Sequence, residues 1–206
     1  MTAVAEIVVR SSPEPWVAIG LSVVDDVAQI GGILLRFEPA AADQPVAIAA
    51  WVLDGAPTKP ASIDGLPTRH IDGGTRPAAV DGTAHPLGVV SFDHLVVMTD
   101  SLDRTCGAIE AATGEPLKRV REVGQIRQGF HRLGELIVEV VETKSATANH
   151  AALWGFVFVV DDIHDAADRL GPDLISLPKA AVQPGRFIAS FRPEAGLGLP
   201  IALMSP

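Results

Sequence analysis

The sequence predicts an α+β fold made of repeated β-α-β-β-β modules. Strand-like runs with alternating or continuous apolar character recur along the chain. One short helix-like segment follows the first strand of each set. Gly-, Pro- and Asp-rich turns then separate three further strand-like runs. This order occurs three times in 206 residues, and a repeat outweighs any single strand assignment. Each module leaves an apolar sheet face that must be covered.

The first module spans 1–55. Ala5 to Arg10 reads as a strand. Ser11 to Gly20 reads as a short helix, with Ser12 as cap, Pro13 at the first helical position and Gly20 at the exit. Leu21 to Val27, Gln29 to Phe37 and Val46 to Leu53 are expected strands. Asp25-Asp26 and Ala40 to Gln44 supply the turns. Residues 56–88 differ. Pro57, Pro60, Pro67, Pro77 and Pro86 alternate with Gly65, Gly73, Gly74 and Gly82, which predicts neither helix nor strand. The stretch is expected to be a linker or lid, and His70 and His85 are expected loop histidines.

The second module spans 89–143. Val89 to Thr99 is its first strand, and Asp100 or Ser101 caps a helix to Thr113 that Gly114 ends. Leu117 to Val123, Ile126 to Leu133 and Glu135 to Thr143 complete it, with turns at Gly124-Gln125 and Gly134. Lys144 to Ala152 is a polar connection. The third module spans 153–206. It opens at Trp154 to Val160, followed by a helix capped by Asp161 or Asp162 and ending at Leu170-Gly171. Leu174 to Val182, Arg186 to Arg192 and Leu199 to Met204 are its expected strands. Modules two and three are joined briefly and form the expected paired domain, 89–206. Module one is an extra half.

Composition bounds the function. Hydrophobic residues make up 48% and charged residues 20%, so a sizeable core is expected and disorder is not. Formal net charge is -9, which argues against nucleic acid as a partner. The lone Cys106 suits a reducing cytoplasm and reads as a small buried hydrophobe. The N-terminal residues lack a basic stretch followed by a long apolar run, so no signal peptide is expected. No apolar run reaches the roughly 20 residues that span a bilayer, and no membrane partner is expected.

Two strands carry the candidate chemistry. In Phe92-Asp93-His94-Leu95-Val96-Val97-Met98, alternation puts Phe92, His94, Val96 and Met98 on one face. In Leu136-Ile137-Val138-Glu139-Val140-Val141, Ile137, Glu139 and Val141 share a face. His94 and Glu139 are therefore expected within side-chain reach. The β-α-β-β-β order with Asp93-His94-Leu95 and Val138-Glu139-Val140 resembles the glyoxalase/bleomycin-resistance/extradiol-dioxygenase family, the vicinal oxygen chelate superfamily. The resemblance implies that two modules pair into one cup-shaped mixed sheet around a site. It also implies that each module gives a His or Gln from its first strand and a Glu from its fourth to a divalent ion. His94 and Glu139 match one such pair, for Mn, Fe, Ni or Zn. In module three the matching position is Gly155, and Pro200 to Met204 contains no acid. A tight site normally has at least three protein ligands. His131 would be a third only if it faced inward. Even without metal, Glu139 beside His94 could act as a general base, so both are the candidate catalytic residues.

No G-x-S-x-G, Walker A, H-E-x-x-H or paired C-x-x-C occurs. Lys118, Arg119, Arg121, Arg127 and Arg132 cluster on strands of module two, and Lys179, Gln183 and Arg186 surround the Pro184-Gly185 turn. Phe92, Arg127, Arg132, Lys179, Gln183 and Arg186 are the candidate ligand-binding residues, the cations for a carboxylate or phosphate. The expected function is a cytoplasmic glyoxalase-like protein that binds a small molecule in the cup of modules two and three. The alternatives are a metal-dependent lyase, isomerase or dioxygenase, and a structural or assembly protein. Module one lacks a sequential partner, so it either packs against the paired domain of its own chain or pairs with a second copy across a two-fold axis, and the homodimer is the favoured expectation.

Overall fold

The computed structural model describes residues 1–41, 43–73, 84–143 and 149–206. Gly74, Pro77 and Gly82 of the expected linker, and Lys144 to Ala148 of the expected connection, lie outside the described residues. Module one supplies β1 (Ala3–Arg10), α1 (Glu14–Ala18), β2 (Val27–Ile30), β3 (Ile33–Glu38) and β4 (Ala47–Asp54). Two strands follow, β5 (Ser62–Ile63) and β6 (Leu66–Ile71). Module two supplies β7 (Val89–Thr99), α2 (Leu102–Thr113), β8 (Arg119–Val123), β9 (Ile126–Leu133) and β10 (Leu136–Glu142). Module three supplies β11 (Ala152–Val160), α3 (Ile163–Leu170), β12 (Lys179–Ala180), β13 (Phe187–Ser190) and β14 (Ile201–Met204).

The fold class is the predicted one, α+β with repeated modules. One sheet has the order β2-β3-β1-β4-β6-β5, the other β12-β13-β14-β11-β7-β10-β9-β8. In module two the fourth strand, β10, runs parallel to the first, β7. In module three β14 runs parallel to β11. Among the described residues, no helix is long and apolar enough to cross a membrane.

The expectation that 56–88 forms no strand is corrected by β5 and β6. Ile63, Leu66 and Thr68 are buried, while Pro67 points outward. A proline at an outward strand position interrupts the hydrogen-bond ladder only locally, so Pro density overstated the irregularity. Asp64 and Gly65 turn between the strands at φ 49° and 90°. β6 runs parallel to β4, with Trp51 opposite Thr68. The N-terminal sheet thus extends beyond the predicted half by two strands.

The expected strand Gln29 to Phe37 is broken at Gly31-Gly32 into the antiparallel pair β2 and β3, and two other expected strands are shorter than predicted. Between Leu21 and Val27 only a bridge from Val24 to Val27 forms. Asp25 and Asp26, at φ 49° and 59°, fold the chain back there. Of Leu174 to Val182 only Lys179–Ala180 is strand, since Pro178 has no N–H to donate.

The chain divides into two compact units. One comprises Met1–Val8, Ile48–Ala78 and His94–Trp154. In it α2 packs on β9, β10 and β5. Leu102, Cys106 and Ile109 of α2 are buried, as are Leu95, Val97, Leu133, Val138 and Val140 of the sheet. Ser101 caps α2 by accepting from the Arg104 N–H, and Gly114 ends it at φ 73°, as predicted. The Asp64 carboxylate accepts from Arg104 Nε at 2.8 Å and from the Thr105 hydroxyl at 2.5 Å. Arg104 also donates to Asp100 at 2.6 Å. The turn between β5 and β6 is therefore tied to the first turn of α2.

The other unit comprises Val9–Ala47, Ala79–Asp93 and Gly155–Pro206. Its core includes an aromatic cluster: Trp16 lies 5.9 Å from Phe156, and Phe92 lies 5.3 Å from Phe156 and 5.0 Å from Phe158. His85 is buried here. Its Nδ1 accepts the Ser22 N–H at 3.0 Å, which leaves Nε2–H to donate to the Gln29 carbonyl at 2.8 Å. Asp162 caps α3 through the His164 and Asp165 N–H groups.

Candidate functional site

The site is built on the four strands of module two. β10 is parallel to β7 and antiparallel to β9, and β9 is antiparallel to β8. Residues directly opposite in register share a face. One face therefore carries three rows. Arg121, Gln128, Val141 and Met98 form the first. Arg119, Phe130, Glu139 and Val96 form the second. Arg132, Ile137 and His94 form the third.

His94 and Glu139 meet on this face. His94 Nε2 lies 3.3 Å from Glu139 Oε2, and the two side chains are 15% and 14% exposed. Gln128 Nε2 donates to Glu139 Oε1 at 2.5 Å. Both carboxylate oxygens are thus engaged, and Glu139 is held in one orientation. Gln128 is missing from the sequence-based candidates. Period two on β9 groups it with Phe130 and Arg132, but only the register of β9 on β10 sets it beside Glu139.

The other face of the same strands packs on α2. His131, opposite Val138, belongs to it and is buried. His131 is therefore not an inward third ligand. Its Nδ1 sits 3.2 Å from the Glu115 carbonyl, which can only accept, so Nδ1 carries the proton. Nε2 is buried without a partner. Burial lowers the pKa of this imidazole below its usual 6.5. Protonation would bury an unpaired N–H, so the folded state resists it. The unfolded chain then binds protons more readily, and stability is full above about pH 6.5 and falls as pH drops below it. His131→Leu is expected to flatten this acid limb. Thermal unfolding of both proteins from about pH 7.5 to 5 measures it, and parallel curves would refute the assignment.

Arg127 also lies on the α2 face. It donates to Asp103 at 3.1 Å and to Glu142 at 3.2 Å. These carboxylates occupy the cation that the sequence offered to a ligand. Phe92 is buried in the aromatic cluster and serves the core. Arg186 donates to Asp93 at 2.6 Å and to the Ser205 carbonyl at 2.8 Å. Lys179 and Gln183 are exposed. Of the expected ligand-binding set, Arg132 lies in the three rows of module two that carry His94 and Glu139.

The repeat allows a test of the metal site. Leu95 pairs with Val138 in module two as Phe156 pairs with Ile201 in module three. Counting along each strand, Gly155 stands where His94 does and Ala202 where Glu139 does. A Cβ on Gly155 would lie 2.1 Å from the Pro200 carbonyl oxygen, so no side chain fits there. Ala202 has no donor atom. Among the described residues, no group of three His, Cys, Asp or Glu is placed to hold a metal ion. The residues present do not fit the four-donor set implied by the resemblance.

No protein-family model and no curated protein matches the chain. Solved structures do. A mutant of 4-hydroxymandelate synthase from Streptomyces coelicolor aligns with 98% of this chain and 92% of its own, at 15% identity and TM-score 0.67. Methylmalonyl-CoA epimerase from Mycobacterium tuberculosis aligns with 58% of this chain and 89% of its own, at 15% identity and TM-score 0.48. The paired-module sheet defines the class, a protein of repeated β-α-β-β-β units. The alignment that runs nearly the whole length gives it the fold of the vicinal oxygen chelate superfamily.

Proposed function

We propose that this chain is a glyoxalase-like protein that binds a small molecule on the face of module two carrying His94, Glu139 and Gln128, without a resident metal. The observation that supports this is the half-complete donor set. One module keeps its His and Glu, joined to each other and to Gln128. The repeat positions in the other are Gly155 and Ala202. A His–carboxylate pair on a sheet face offers a ligand both a donor and an acceptor, and Gln128 fixes the acceptor.

Protein purified without chelator is expected to carry metal far below one equivalent by elemental analysis. Titration with Mn, Fe, Ni or Zn is expected to raise the thermal midpoint no more in the wild type than in His94→Ala. A near-stoichiometric metal that His94→Ala loses would overturn the metal-free reading in favour of the metal-dependent enzyme. For the binding itself, Glu139→Gln is expected to weaken small-molecule hits from a thermal-shift screen by about tenfold, the loss of one charge-assisted hydrogen bond.

A further inference from the structure

Resting on that reading of the face, we infer that the bound molecule is an organic anion: its apolar body lies over Phe130, Ile137 and Val141, and its carboxylate or phosphate is held by Arg119, Arg121 and Arg132. The cations of module two are sorted by face. Arg127, on the α2 side, is held by Asp103, Glu122 and Glu142. Arg104 of α2 is held by Asp64 and Asp100. Arg119, Arg121 and Arg132 share the His94–Glu139 face, and among the described residues none of them has a carboxylate partner.

The acid content of that face points the same way. In its three rows the acid is Glu139, and both its oxygens are already engaged by His94 and Gln128. The chain carries a formal charge of -9, yet these rows hold three guanidinium groups against one carboxylate. Arg119 stands directly opposite Phe130, and Phe130 directly opposite Glu139. A ligand reaching from Glu139 to Arg119 therefore crosses an aromatic ring, while Arg132 flanks the pair from β9 in the row of Ile137 and His94. Two inter-strand steps separate β8 from β10, roughly 9–10 Å. That span suits a single ring or short chain bearing one anionic group, rather than a bare inorganic ion. Guanidinium groups fork onto carboxylate or phosphate oxygens, and nearby neutral donors do not select for charge in this way.

The probes are 3-phenylpropionate, its neutral amide 3-phenylpropionamide, phenyl phosphate and inorganic phosphate, titrated calorimetrically into the full chain. The acid or phenyl phosphate is expected to bind at least tenfold more tightly than the amide, and the difference is expected to shrink as salt is raised. Whichever of the two binds more tightly names the anion. Arg119→Gln/Arg121→Gln/Arg132→Gln is expected to abolish the preference with an unchanged thermal midpoint. Equal binding of acid, phenyl phosphate and amide, all weakened in His94→Ala, would keep the site and overturn the anion. Inorganic phosphate binding as tightly as phenyl phosphate would overturn the apolar body. Binding by none of the probes would overturn this inference, while the metal titration judges the metal-free reading separately.

Discussion

Gly155→Ala is expected to destabilise the protein by about 3 kcal/mol, the upper range for forcing atoms into a packed site. The added Cβ would lie 2.1 Å from the Pro200 carbonyl oxygen and 3.1 Å from its carbon. Both contacts are to backbone, so no side-chain rotation relieves them. The same carbonyl accepts the Phe156 N–H at 3.3 Å, so moving it away loosens the pairing of β11 with β14. Gly107→Ala is the internal control. It lies in α2, where an added Cβ would meet nothing within 4 Å, and alanine there is expected to stabilise by about 0.5–1 kcal/mol through helix propensity. Urea unfolding of both variants measures the contrast, and equal stabilities would remove the close approach. A larger residue, Gly155→His, would restore the imidazole of the repeat in sequence but is expected to unfold the protein instead of completing a metal site.

Module two is legible in the sequence because its signals agree. Alternation, the Ser101 cap and the Gly114 stop all mark the same boundaries, and period two fixes the face of His94 on β7 and of Glu139 on β10, which the parallel register of the two strands then joins. Three things are not legible locally. The first is which strand lies beside which: Gln128, Arg119 and Arg121 join the site only through the registers of β8, β9 and β10. The second is the sorting of cations by face. Arg127 and Arg132 look alike in sequence, yet one meets Asp103 on α2 and the other stands opposite Ile137. The third is alternation at Phe92. Strict period two would set it with His94, whereas it packs against Phe156 and Phe158. Burial of a large aromatic ring outweighs regular pleating.

Trp51→Ala is expected to cost about 3–5 kcal/mol, the usual range for deleting a fully buried aromatic side chain. Trp51 is 0% exposed on β4, and its Nε1 donates to the Thr68 hydroxyl at 2.7 Å. Thr68 lies on β6, inside the stretch whose prolines predict a linker. Its hydroxyl hydrogen goes on to the Leu66 carbonyl at 2.8 Å, so one oxygen joins two strands. Thr68→Val keeps the shape and removes that oxygen, leaving the buried indole N–H unpaired at a cost of about 1–3 kcal/mol. In the Trp51→Phe background the same substitution is expected to cost less, because there is no indole N–H left to strand. A coupling of about 1 kcal/mol between the two sites, read from a double-mutant cycle of urea unfolding, is therefore expected. A loose linker would show neither the large single loss nor the coupling. Both together mean that β6 is part of the sheet, and that no truncation ending between β4 and β6 leaves the N-terminal sheet whole.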